Sequence, residues 1–158
     1  MNVEAVEILL VEDSPGDVRL TQEALKDSKL YNNLNVVPDG VEAIAFLRRQ
    51  GHYTNAPRPD LILLDILFPP DVAHGGGVAW DGVRIIEWLR RLEEARNIPI
   101  IVISGADPAK YKDRSLAAGA VAFFHKPIDS DELLAAIHKV LGEDGSGGPP
   151  NPATDLKV

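Results

Sequence analysis

Four places in the chain carry side chains suited to metal-assisted phosphoryl chemistry. Glu12-Asp13, Asp65, Ser104 and Lys126-Pro127 each stand at or just beyond the end of a short apolar run. Clustered carboxylates repel one another unless a hard cation sits among them, and Mg²⁺ accepts a few carboxylates plus waters in octahedral geometry. An Asp beside such a cation can act as a nucleophile and form an acyl phosphate. Phosphoryl transfer needs mostly positioning and charge neutralisation, which Mg²⁺, Lys126 and the Ser104 hydroxyl could supply together. Taken singly, Glu12-Asp13 reads as a solvated turn, Asp65 as a cap or turn residue, and Ser104 and Lys126 as surface residues. Their joint position at strand ends carries the chemical reading.

That position depends on the elements around them. Ile8-Leu9-Leu10-Val11, Leu61-Ile62-Leu63-Leu64 and Ile100-Ile101-Val102-Ile103 are continuous aliphatic runs bounded by Pro, Asp or Gly, the pattern of strands buried on both faces. Leu34-Asn35-Val36-Val37 and Ala122-Phe123-Phe124 are weaker candidates. Helical spacing falls between them: Val18, Thr21 and Leu25 within Pro15 to Ser28; Val41, Ile44 and Leu47 within Gly40 to Gln50; Ile85, Leu89 and Leu92 within Gly82 to Arg96. A more polar stretch runs from Pro108 to Ala118, and Leu133, Ile137 and Val140 align within Ser130 to Leu141. Ser14 before Pro15, and Asp129 or Ser130, have the residue types of helix caps. Strand and helix alternate five times, which predicts a parallel sheet covered on both sides. In such a sheet ligands bind beyond the carboxyl ends of the strands, where the four sites would converge.

Composition removes several function classes. The 158 residues include 24 Asp+Glu against 16 Lys+Arg, a formal net charge of −8, which disfavours nucleic acid or membrane surfaces as partners through bulk charge. Without cysteine there are no disulfides, thiolate zinc sites or cysteine nucleophiles. No apolar run approaches the roughly 18 residues of a membrane span, and the start Met1-Asn2-Val3-Glu4 lacks a basic, apolar leader, so a cytoplasmic location is expected. Residues 1–142 read as one domain. Residues 143–158, rich in Gly, Pro and acids, read as a disordered tail with no output domain.

The five-part pattern resembles the receiver domain of two-component response regulators over about residues 5 to 142. Glu12-Asp13, Leu64-Asp65, Ser104-Gly105 and Lys126-Pro127, with Asp81-Gly82 opening the third helix, agree in residue type, order and strand context. The resemblance implies a flavodoxin-like, doubly wound α/β fold with five parallel strands in the order 2-1-3-4-5, flanked by five helices. It also implies a phosphoacceptor that catalyses only its own phosphorylation and dephosphorylation. Asp65 would take the phosphoryl group from a histidine kinase. Glu12, Asp13, Asp65 and the backbone carbonyl of Leu67 would hold Mg²⁺. Ser104 and Lys126 would bind the phosphoryl group, Phe123 would be the aromatic switch, and the Lys126–Pro127 peptide would be cis. Val11-Glu12-Asp13-Ser14-Pro15-Gly16-Asp17 and Ala56-Pro57-Arg58-Pro59-Asp60 are similar to the single-domain regulators that partner bacterial phytochrome kinases. Members of that group often pair through helix 4, strand 5 and helix 5.

Three departures from the family pattern bear on function. Phe123 has no hydroxyl where many receivers carry Tyr, so its switching would rest on ring packing. Leu67 and Ala106, each two residues beyond a site residue, offer attacking water no hydrogen-bond partner, which predicts a long-lived phosphoryl group. The segment between Asp65 and Asp81 carries an insertion over about residues 70–79, and loop insertions are tolerated and often functional. That insertion reads either as a flexible glycine loop or as a lid bringing His74 and Trp80 toward the site. Two other functions stay open: a phosphate-independent scaffold with the receiver fold, and a Mg²⁺-dependent phosphohydrolase. The second usually needs a carboxylate where Leu67 stands.

Overall fold

The computed structural model describes residues 5–26, 30–65, 82–105 and 107–142. Five strands, β1 (Val6–Val11), β2 (Asn32–Val37), β3 (Leu61–Asp65), β4 (Ile100–Ser104) and β5 (Ala122–His125), form one sheet in the order β2-β1-β3-β4-β5. Every adjacent pair is parallel. Five helices alternate with them: α1 (Pro15–Lys26), α2 (Gly40–Leu47), α3 (Gly82–Arg91), α4 (Pro108–Ala118) and α5 (Ser130–Leu141). This is the flavodoxin-like, doubly wound arrangement expected from the alternation of runs.

The two-residue period of the strands sorts their side chains into two cores. Leu9, Val11, Ile62, Leu64, Ile100, Val102 and Phe123 face the helices α2, α3 and α4, whose Phe46, Leu47, Ile86 and Leu89 complete that cluster. Ile8, Leu10, Leu61, Leu63, Ile101 and Ile103 face α1 and α5 through Leu25, Leu133 and Ile137. Burying each such aliphatic side chain stabilises the fold by roughly 1.5–3 kcal/mol. The three central strands therefore read as unbroken apolar runs, since neither face meets water.

Helix starts follow their capping residues. Asp39 accepts from the Glu42 amide at 2.8 Å, and Asp107 accepts from the Ala109 amide at 3.0 Å ahead of Pro108. Asp129 holds the cap position of α5, without a side-chain hydrogen bond. Two helices stop earlier than their apolar spacing suggests. The chain turns at Arg49, whose φ is +56°, so α2 ends at Leu47 and a short 3₁₀ turn, Gly51–Tyr53, follows. Helix α3 ends at Arg91 instead of Arg96 because the Arg90 guanidinium donates to the carbonyls of Ala95, Arg96 and Ile98, folding that segment back.

Strand register sets the rim at which side chains meet. Val11 pairs with Leu64, which places Glu12 beside Asp65. Asp65 pairs with Ile103, and Ser104 pairs with His125, so Ser104 and Lys126 follow one step further on. Among the described residues no helix is long and apolar enough to cross a membrane.

Candidate functional site

At this rim the Lys126 ammonium collects three carboxylates from three elements. It pairs with Asp65 Oδ2 in a short contact, with Asp17 Oδ2 at 2.6 Å and with Glu12 Oε1 at 3.5 Å. The Lys126 backbone amide donates to the Ser104 carbonyl at 2.9 Å, and the Lys126–Pro127 peptide is cis. The side chains of Glu12 and Asp65 are 4% and 8% exposed, while that of Asp17 is 37% exposed. Ser104 is completely buried. Phe123 is buried in the core facing α2, α3 and α4, and Phe124 packs in the opposite one.

Burial pushes the Asp65 carboxyl above its usual range, and the hydrogen bond and charge of Lys126 pull it only part of the way back. Burial would lower the Lys126 ammonium, but its hydrogen bonds and charge pairing with Asp17 and Asp65 outweigh that and hold it above its usual range. Three acids against one ammonium leave the cluster with an excess of negative charge. Carboxylate oxygens of Glu12, Asp17 and Asp65 lie within 4.8 Å of one another. An all-oxygen, partly buried, electron-rich donor set of this kind fits a hard divalent cation that keeps several of its waters.

The structure brings Glu12, Asp65, Ser104 and Lys126 together as expected from their strand ends. Asp13 is exposed and outside the trio of clustered carboxylates. Directly after β1, Glu12 Oε2 accepts from the Ser14 amide at 3.0 Å. Asp17 is the third member of that trio, a residue to which the sequence assigns no role of its own. An acid in the first turn of a helix is common because it complements the helix dipole. The available signal was topological: the first turn after β1 lies on the same rim as Asp65. Leu67, His74, Trp80, Asp81, Ala106, the 70–79 insertion and residues 143–158 lie outside the described residues.

A cleft of about 460 Å³ opens onto the site between α1 and the start of α5. Asp17, Leu20 and Thr21 line it from α1, Lys126, Pro127 and Leu133 line it from the opposite side, and Asp65 is also part of its lining. Leu20 is 65% exposed there, so the cleft offers an apolar lip beside the charged cluster.

Comparisons with known proteins agree with this arrangement. The response regulator Rcp1 of Synechocystis sp. is 41% identical over 97 residues, covering 61% of this chain and 60% of that protein, so the chain spans less than two-thirds of this curated relative. The phosphorylated cyanobacterial phytochrome response regulator RcpA superposes with a TM-score of 0.69 at 30% identity, covering 94% of this chain and 99% of RcpA. The Mn²⁺-bound form of Rcp1 gives a TM-score of 0.68 at 30% identity, covering 92% and 99%. Residues 8–138 match the response regulator receiver domain, and the chain belongs to the receiver-domain family of response regulators.

Proposed function

We propose that this protein is a cytoplasmic phosphoacceptor switch, with Asp65 taking a phosphoryl group from a sensor histidine kinase. The observation that carries this reading is the Lys126 ammonium bonded to the Asp65 carboxylate beside buried Ser104. In the transfer, an Asp65 carboxylate oxygen attacks phosphorus, the P–N bond of the donor phosphohistidine breaks, and the imidazole leaves with the bonding pair. The product is an acyl phosphate on Asp65. Lys126 neutralises charge on the transferred group from a position fixed before reaction. Glu12 and Asp65, with Asp13 and the Leu67 carbonyl as the family resemblance implies, would hold Mg²⁺, whose charge would further neutralise the phosphoryl oxygens. The exposed Leu20 lip suits an apolar helix of the kinase, bringing its phosphohistidine to Asp65 along the cleft.

The new charge then draws the Ser104 hydroxyl toward the phosphoryl group and repacks Phe123, which lies on β5 within the core facing α4. The surface of α4, β5 and α5 carries the change to a downstream protein or to a second copy. Similarity to Rcp1 and RcpA favours a phytochrome-type kinase as donor. Apolar Leu67 and Ala106 favour a long-lived phosphoryl group. Intact mass after incubation with acetyl phosphate and Mg²⁺ tests the reading. The wild type gains one phosphoryl group and Asp65→Asn gains none; an unchanged wild-type mass refutes it.

A further inference from the structure

We infer that Asp17 is a positioning residue that holds the Lys126 ammonium over the Asp65 carboxylate. The inference rests on the reading of Asp65 as phosphoacceptor. A lysine head sits on a flexible four-carbon stem and loses rotamer freedom when fixed. One anion sets the distance of such a head but leaves it free to swing. A second anion on a different element removes that freedom, and Asp17 supplies it at 2.6 Å from helix α1, while Glu12 stands further off at 3.5 Å.

Asp17 is itself well fixed. It is the third residue of α1, and its amide lies 3.4 Å from the Ser14 hydroxyl. An acid placed there only to complement the dipole could point to solvent, yet this one reaches across 109 residues of sequence to Lys126. Two of the three ammonium N–H groups then serve Asp17 and Asp65, and the third remains for Glu12 or for an oxygen of an arriving phosphoryl group. Asp17 also lines the cleft through which that group would arrive. It touches neither bond that forms or breaks and acts through Lys126.

A double-mutant cycle on the full chain separates this role from an independent one. With acetyl phosphate and Mg²⁺, Asp17→Asn slows adduct formation about ten-fold, within the loss that misplacing a reacting group produces, and Asp17→Glu restores part of it. In a Lys126→Ala background Asp17→Asn has no further effect. Nitrogen-15 NMR of the phosphate-free, metal-free protein gives a second reading. A slowly exchanging Lys126 ammonium signal is present in wild type and Asp17→Glu and lost in Asp17→Asn. Equal slowing by Asp17→Asn in both backgrounds, or a Lys126 signal that survives Asp17→Asn, overturns the proposal. A wild type that takes no phosphate refutes the phosphoacceptor reading instead, and the ammonium signal still decides whether Asp17 fixes Lys126.

Discussion

Lys126 at the rim of the sheet and Arg90 at its foot are both partly buried cations, and each is held by three oxygens from elsewhere in the chain. The oxygens differ in kind. Lys126 faces the carboxylates of Glu12, Asp17 and Asp65. Arg90 faces the backbone carbonyls of Ala95, Arg96 and Ile98. Carbonyls are neutral and fixed by the chain path, so the Arg90 arrangement has one state and serves the fold. Carboxylates change charge when protonated, metallated or phosphorylated, so the balance around Lys126 can be altered without unfolding anything. The contrast teaches that the acceptor, more than the cation, separates a structural clamp from a switch.

The largest expected effect on this contrast comes from removing the clamp. Arg90→Met keeps much of the side-chain bulk but leaves three carbonyls without their charged donor. Loss of such bonds in a partly buried site predicts a destabilisation of about 2–4 kcal/mol, measured as a lower midpoint in urea. Phosphate uptake at Asp65 under folding conditions stays at the wild-type level, since Arg90 lies at the opposite end of the sheet. A stability loss below about 0.5 kcal/mol, the level of an ordinary surface change, would break the distinction between clamp and switch.

Much of the architecture is legible in the sequence, and for a definite reason. Leu61-Ile62-Leu63-Leu64 followed by Asp65 marks at once a strand buried on both faces and the point where it emerges. The same logic placed Ser104 and Lys126. Asp17 and Arg90 were not legible because their partners carry no matching signal. A helix-start acid is expected at Asp17 whatever it contacts, and the carbonyls that hold Arg90 belong to every residue type alike. The early end of α3 is hidden for the same reason: apolar spacing continues through Leu92, while the chain is turned by a guanidinium bonding to backbone. The early end of α2 rests on the positive φ at Arg49, which no residue type there signals. Asp13 stands next to Glu12 but is exposed, and the close trio of carboxylates does not include it.

A smaller effect is expected from the helix end that Arg90 packs against. Gly119 closes α4 with φ +128°, and a Cβ built there would lie 2.5 Å from Arg90 Cγ and 2.7 Å from Cδ. Gly119→Ala therefore suffers both backbone strain and a collision with the clamp, at a cost of about 1–3 kcal/mol. The two causes separate in a cycle. Arg90→Ala removes the colliding atoms and leaves the strain, so the double variant should be less destabilised than the sum of the singles by about 0.5 kcal/mol or more. Strict additivity in urea denaturation would show that the clamp does not bear on α4.

The smallest effect sharpens the comparison with a bond of mixed kind, a neutral donor on a charged acceptor. The Tyr53 hydroxyl donates to Glu42 Oε1 at 2.6 Å, tying the 3₁₀ turn to the first turn of α2. That hydrogen bond, with partial burial and the charges of Glu42 and Asp39, raises the phenol from its usual 10 to about 12. The folded chain thus holds this proton more tightly than the unfolded chain. The stability it contributes is complete below pH 10 and is lost as pH rises through about 12. Tyrosinate absorbance should show the Tyr53 phenol titrating at about 12, and Glu42→Gln should return it toward the ordinary range by removing the negative acceptor. A wild-type Tyr53 that titrates near its usual 10 would show that the Glu42 carboxylate does not hold the phenol proton.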